Sequence, residues 1–355
     1  MKYGRNQVVL LGMAGVLVMS SMTGCGTVDK NEIVATVGED QIPYGMANFY
    51  ARKHQAQYET YYAGMMGMTG EEIWQQSAKE KGKTYEDTVK EELLLSLENL
   101  YLMKQHAGEY EVLVTEDETK KIKEAAKIFD EDNALEEKEA VSGFQQYVEE
   151  YLRMLTIQKK MEMKMKTGVN EEVSDEEAAQ KRMKYVYRPY TKTDEKGNQV
   201  DLSEDERQVL KEEMEAFLAN VNASEEKDLD TLAAEVGYKV QQVTFDENTK
   251  SPDGALIQAA DALTAEGDLT GVISSDYGIY VGKVVSFLDR EATDAKKAEI
   301  LEERKQAQIK ELLEKWRVET KIEEDIQLWE RIDFQKLGVT VKDREEKYDD
   351  SPAAY

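Results

Sequence analysis

Apolar and polar residues alternate through "EIVATVGEDQIPYG", Glu32 to Gly45, on both sides of Gly38-Glu39-Asp40. A period of two broken by a glycine turn predicts a small hairpin. The period then changes. Met46, Tyr50, His54, Tyr58 and Tyr62 recur every four residues, which puts them on one helix face. His54 there reads as an interior histidine bonded to a neighbour, since no second histidine shares the face. "GMMGMTG", Gly64 to Gly70, is expected to break the helix and form a mobile loop. Val89, Leu93, Leu97 and Leu100 mark a second helix, and the stretch from Val114 a third with an acidic start. Phe144, Tyr147, Val148, Tyr151 and Leu155 mark a fourth. It runs into Met161, Met163 and Met165, which alternate with charges and read as a frayed, basic helix end.

At "KRMKYVYRPYT", Lys181 to Thr191, the period switches to two and a strand is expected. "DEKGNQ" is a turn. Ser203, with Glu206 three residues on, has capping-box spacing and should start a helix. "DLDTLAAEVG" is a second short helix, "YKVQQVTF" a strand, "ALIQAADAL" a helix and "GIYVGKVVSF" a closing strand. Strand, helix, helix, strand, helix, strand is an α+β domain of ordinary size. From Glu291 the helical period returns. Ile309, Leu312, Leu313, Trp316, Ile322, Ile326 and Trp329 form an apolar stripe on one long charged helix, which needs a partner. That partner is expected among the helices between Met46 and Leu155. After Leu337 the chain turns polar, and residues 338–355 are expected to be a disordered tail.

The first residues change the picture. Lys2 and Arg5 precede "VVLLGMAGVLVM", Val8 to Met19, and small residues lead to Thr23-Gly24-Cys25. A charged start, a short apolar run and small residues at a cleavage point make a secretory leader. The run falls short of the roughly 20 residues a spanning helix needs. "MTGC" resembles a bacterial lipobox, with Met22 where Leu is usual and Cys25 as the residue that would carry diacylglycerol. Two acyl chains at about 0.8 kcal/mol per buried methylene would anchor the mature chain stably. Losing Lys2 and Arg5 with the leader would take the formal charge from −27 to −29. A polyanion is repelled by nucleic-acid phosphates, so no nucleic-acid partner is expected. With His54, His106 and Cys25 as the whole His/Cys complement, neither a metal site nor a Cys–His dyad is expected. No cofactor motif stands out either. "DEDNALEE", Asp130 to Glu137, lacks the central glycine of a calcium loop and reads as a solvated charge run.

"VATVGEDQIPYGMANFY" after such a leader resembles the start of PrsA-type foldases and SurA-type periplasmic chaperones. "AADALTAEGDLTGVISSDYGIYVGKV", Ala259 to Val284, is similar to the end of a parvulin-type prolyl isomerase domain, with Gly267, Leu269, Val272, Tyr277, Gly278 and Lys283 in register after one inserted residue. The resemblance implies a fold that is mainly α plus α+β. A discontinuous helical chaperone domain would be built from both ends of the chain, with a parvulin-like α+β domain inserted. The implied limits are leader 1–24, lipidated tether 25–31, helical segment 32–180, parvulin-like domain 181–291, closing helix 292–337 and tail 338–355.

The departures bear on activity. The two histidine positions of the isomerase family fall on Tyr185 and Tyr280. The glycine-rich loop has no counterpart in "TFDENTKSPDGAL", and the proline-pocket positions fall near Pro252 and Leu256. The leading expectation is a membrane-anchored extracytoplasmic foldase or chaperone that binds unfolded secreted polypeptides through a degenerate isomerase scaffold. Candidate client contacts are Tyr50, Tyr58, Tyr62, Met65, Met66, Met68 and Leu256, because Met and aromatic surfaces adapt to many sequences. An active parvulin-type isomerase and, third, a solute-binding lipoprotein are the alternatives. A homodimer stays open.

Overall fold

The computed structural model describes residues 16–19, 28–224 and 228–342. Cys25 and the rest of the lipobox-like run lie outside the described residues. In chain order, strands β1 (Val16–Met19), β2 (Ile33–Val37) and β3 (Asp40–Pro43) precede helix α1 (Tyr44–Gln57). A π-helical turn over Tyr58–Tyr62 continues into α2 (Ala63–Met65), and α3 (Gly70–Trp74) follows. Then come α4 (Tyr85–His106), α5 (Glu116–Asp132), α6 (Leu135–Val141), α7 (Gln145–Met165) and α8 (Asp175–Ala178). The sheet region holds β4 (Lys181–Pro189), β5 (Thr191–Thr193), β6 (Gln199–Asp201), α9 (Glu204–Ala223), α10 (Leu229–Glu235) and β7 (Val240–Phe245). It closes with α11 (Gly254–Asp261), β8 (Ile273–Ser274) and β9 (Gly278–Ser286). Last are α12 (Arg290–Glu319), β10 (Ile322–Glu324), α13 (Ile326–Trp329) and β11 (Gly338–Val341).

The chain forms two compact units, one from residues up to Gly168 together with Gln306 onward, the other from Val169 to Lys305. The first is therefore discontinuous. Its insert is wider than 181–291, because ion pairs tie the flanks to each other. Arg290 and Lys297 both meet Asp175, and Arg304 meets Glu177 at 2.6 Å.

In the helical unit, helix starts follow local chemistry. Thr69, Thr84 and Thr115 each accept from the amide three residues on, while the acidic side chain there bonds back to the threonine amide. Gly45 in α1 is required by packing, since a Cβ there would stand 2.1 Å from the Tyr147 ring of α7. The core gathers Met46, Phe49, Leu97, Leu102, Val148 and Met161 with Ile309, Trp316, Trp329 and Phe334 from the last segment. That segment is not one helix. α12 ends at Glu319, and Ile322 enters β10, which pairs antiparallel with β2 (Ile322 opposite Val37). Of the expected long stripe, Ile309, Trp316 and Trp329 are buried and Leu312, Leu313 and Ile322 partly so, but Ile326 is exposed, and two sheet edges and a polar network hold the segment. Gln55 Nε2 donates to the carbonyls of Phe334 and Leu337, and Glu86 accepts the Phe334 amide at 2.6 Å. Trp316 stacks on His106, ring centroids 4.2 Å apart.

Three further expectations change here. Residues 338–341 are strand β11, paired with β1, so the expected tail is ordered at its start, and residues 343–355 lie outside the described residues. α7 runs regularly to Met165, burying Met161 and Met165 four residues apart and exposing Met163, so the end is not frayed. The expected loop at Gly64–Gly70 is narrower, since Gly64 and Met65 belong to α2 and Gly70 opens α3, which leaves Met66–Thr69 as the break.

In the inserted unit the expected element order is present, with β8 and the β5–β6 hairpin added. Four antiparallel strands lie in the order β7-β4-β9-β8. One face, through Val186, Ile279 and Val281, is covered by α9 and α10. The other, through Met183, Tyr185, Tyr280 and Val284, is covered by α11. Ser203 caps α9 with Glu206 as its spacing predicts.

Candidate functional site

Two tyrosine-rich clusters stand out, one in each unit. In the inserted sheet, period-two alternation places Tyr185 and Tyr187 of β4 on the α11 face. The register sets Tyr187 opposite Tyr280 of β9. Their rings stack at 4.6 Å and 25°, and Tyr185 stands 6.1 Å from Tyr280. Tyr185 donates to Gln241 Oε1 at 3.0 Å, and Tyr187 donates to the Tyr277 carbonyl at 3.0 Å. Tyr280 shares a hydrogen bond with Ser275. Burial raises the Tyr185 hydroxyl above its ordinary pKa. Burial, then Tyr187 and Asp253, push Tyr280 up to about 12. All the phenols are thus protonated at neutral pH, with their polar ends already partnered. Tyr185 and Tyr280 are 6% and 4% exposed.

Gly278 lets the strands close this tightly. A Cβ there would stand 2.4 Å from the Arg188 carbonyl and 2.4 Å from the Tyr187 ring. Leu256, expected as a client contact, is fully buried beneath these rings and presents no surface. Cavities of 470 and 310 Å³ occur elsewhere, at Gly38–Asp40 with Gln105 and Lys321, and at Arg188 with Val209 and Leu210. Neither is lined by Tyr185 or Tyr280. Among the described residues no group of three or more His, Cys, Asp or Glu side chains is placed to hold a metal ion. No described helix is long and apolar enough to cross a membrane.

The second cluster grades from core to solvent. Trp74 lies at its base, buried against Phe334 at 4.8 Å and stacked on Tyr85 at 6.0 Å. Its indole donates to Glu59 Oε1 at 2.7 Å. Half-buried Tyr58 touches Trp74 and Tyr85 and meets Tyr62 at 5.1 Å. Beyond them Tyr61, Tyr62, Met65 and Met66 are 54%, 52%, 83% and 53% exposed. Met68 is half-buried. Tyr50, expected on this surface, is instead core, packed on His54 and Tyr151. The reason is geometric. Residues four apart rotate by about 40° per step around a helix of 3.6 residues per turn, so a face that begins in the core ends in solvent. Burial likewise holds His54 down at about 4, neutral as an interior histidine should be.

The sequence reading missed Tyr61 and Tyr187. Tyr187 was findable, since it lies two residues from Tyr185 and so on the same strand face. Tyr61 was not, because the π-helical turn that shifts the surface leaves no plain mark in the sequence.

No family model and no curated protein matches the chain. Among solved structures it is similar to the foldase protein PrsA of Streptococcus pneumoniae at 16% identity, covering 73% of this chain and 98% of that one, with a TM-score of 0.30. It is also similar to a SurA-like chaperone from Campylobacter jejuni at 13% identity, covering 83% and 99%, with a TM-score of 0.28. A third is the peptidylprolyl isomerase PrsA of Bacillus anthracis at 16% identity, covering 63% and 95%, with a TM-score of 0.25. These are the families that the sequence motifs resemble.

Proposed function

We propose that this chain is a lipid-tethered, extracytoplasmic foldase or holdase for unfolded secreted polypeptides, and that its inserted sheet does not isomerise prolyl bonds. The observation that carries the reading is the exposed Tyr61–Tyr62–Met65–Met66 surface, braced from below by Trp74, Tyr85 and Phe334. Aromatic faces and flexible thioethers make apolar contact without demanding a sequence. A braced base keeps the aromatics from folding into their own core. The strong negative charge favours basic or incompletely folded clients. Prolyl isomerisation would need an apolar slot and free donors facing a twisted amide. Tyr185 and Tyr280 are packed under α11 with their hydroxyls engaged, which supports a scaffold role.

Two assays on one preparation test this. Suppression of client aggregation should fall at least severalfold in a Tyr61→Ser/Tyr62→Ser/Met65→Ser/Met66→Ser variant and persist in Tyr185→Phe/Tyr280→Phe. Proline-limited refolding, which takes tens to hundreds of seconds unaided, should not be accelerated by either variant or by the parent. Catalysis by the parent that the double phenylalanine variant lacks would make the tyrosines an altered active site and restore the isomerase reading. Tethering is tested separately. Cys25→Ser should abolish acyl labelling, and normal labelling of that variant overturns the anchor.

A further inference from the structure

The last strand of the helical unit is bonded on its two edges in different ways. On one edge the amides of Val339 and Val341 donate to Glu59 Oε2 at 2.6 Å and Thr60 Oγ1 at 2.8 Å, both from the π-helical turn. Successive residues of a strand point their backbone groups to opposite edges. Gly338 and Thr340 therefore serve the other edge, where β1 pairs antiparallel, Met19 opposite Gly338 and Leu17 opposite Thr340. β1 also lies beside α6. So β11 has one edge closed by side chains and one that takes a strand. The strand it takes here is Val-Leu-Val-Met, part of the leader.

Resting on the reading that processing before Cys25 removes this leader and that clients are unfolded chains, we propose that the outer edge of β11 is an acceptor for an extended apolar segment of a client. The leader strand fills it in the precursor, and processing opens it. The chemistry of the occupant follows from the one seated there, a short β-branched and apolar strand added through main-chain hydrogen bonds. A second copy fits less well. A four-residue edge offers far less than the roughly 1,200 Å² a stable interface buries, and two strongly negative chains repel.

The test uses the full chain and a Leu17→Pro variant, in which proline unseats β1. The probe is a labelled Gly-Val-Leu-Val-Met-Ser peptide followed by fluorescence anisotropy. Leu17→Pro should bind it about tenfold or more tighter than the parent. A peptide N-methylated at its leucine and methionine amides, which face β11, should lose that binding, whereas one methylated at both valine amides should keep it. This pair of peptides tests the edge without altering the protein. Adding Thr340→Pro should abolish binding and Thr340→Val should not. Equal binding of the two methylated peptides, or no gain on Leu17→Pro, overturns the proposal. So does a Leu17→Pro variant that sediments as a dimer and binds no peptide. Aggregation suppression measured alongside separates the readings. Suppression without peptide binding sinks the acceptor edge alone, and peptide binding without suppression upholds the edge while overturning the chaperone role.

Discussion

The two tyrosine clusters have nearly the same ingredients and opposite fates. On the sheet, Tyr185, Tyr187 and Tyr280 face a covering helix, and their hydroxyls are spent on Gln241, the Tyr277 carbonyl and Ser275. On the π-helical turn, Tyr61 and Tyr62 have no cover and stand in solvent above a buried tryptophan. An aromatic residue is a core residue or a contact residue according to what its element packs against. In this protein the cluster on the inserted sheet is the interior one.

The sharpest way to break this contrast is to remove the brace. Deleting residues 306–355 takes Trp316, Trp329, Ile332 and Phe334 from the helical core. At about 2 kcal/mol for each large buried side chain, the loss of roughly 8 kcal/mol matches the whole stability of an ordinary domain. The helical unit should lose its cooperative transition and aggregate, while a 169–305 fragment melts as one unit. A truncated chain whose helical part stays monomeric with an intact transition would refute the discontinuous core. Next in size is Gly278→Ala. Its Cβ would collide with backbone, so the inserted unit should lose about 3 kcal/mol in urea titration. Gly271→Ala, with nothing within 4 Å, should lose little, and equal losses would show that the close approach is immaterial.

A third test concerns Glu98 of α4, nearly inaccessible and paired with Arg317 at 2.7 Å. Burial, with Glu324 close by, raises its pKa to about 7 despite the guanidinium. An acid whose folded pKa lies above its unfolded one stabilises fully below about 4.5, and that contribution is lost as pH rises through about 7. Glu98→Gln should therefore gain on the parent, by on the order of 2 kcal/mol, between pH 5 and pH 8. His54, lowered to about 4, acts in the opposite sense as pH falls from 6.5, so the variant-minus-parent difference is the quantity to measure. A flat difference would refute the raised pKa. The smallest effect is expected for Tyr185→Phe and Tyr280→Phe, about 1 kcal/mol for each lost hydrogen bond. A loss of several kcal/mol from either would mean the hydroxyls hold the sheet together.

Much of this was legible in the residues because it is local. The Ser203–Glu206 spacing, the hairpin at Gly38 and the order of strands and helices from 181 to 286 each depend on neighbours a few positions away. So did the side from which Trp316 and Trp329 face the core. Helix ends were harder. The stripe through Ile322 continues the pattern past Thr320, yet β2 offers an open edge, and pairing there outweighs one more helical turn.

Sequence alone determined which residues are apolar, at what period they recur and which segments cap or turn, because those properties lie in side-chain chemistry and backbone preference. Only the tertiary structure decided which apolar faces are covered. It buried Tyr50 and Leu256, left Tyr61 and Met65 exposed, drew the 175–178 and 290–304 segments into the insert through ion pairs, and set a strand on β11. The physical reason is that burial is a property of pairs of surfaces. A segment carries its half of a contact in its own residues, and the other half arrives from a part of the chain that it cannot specify.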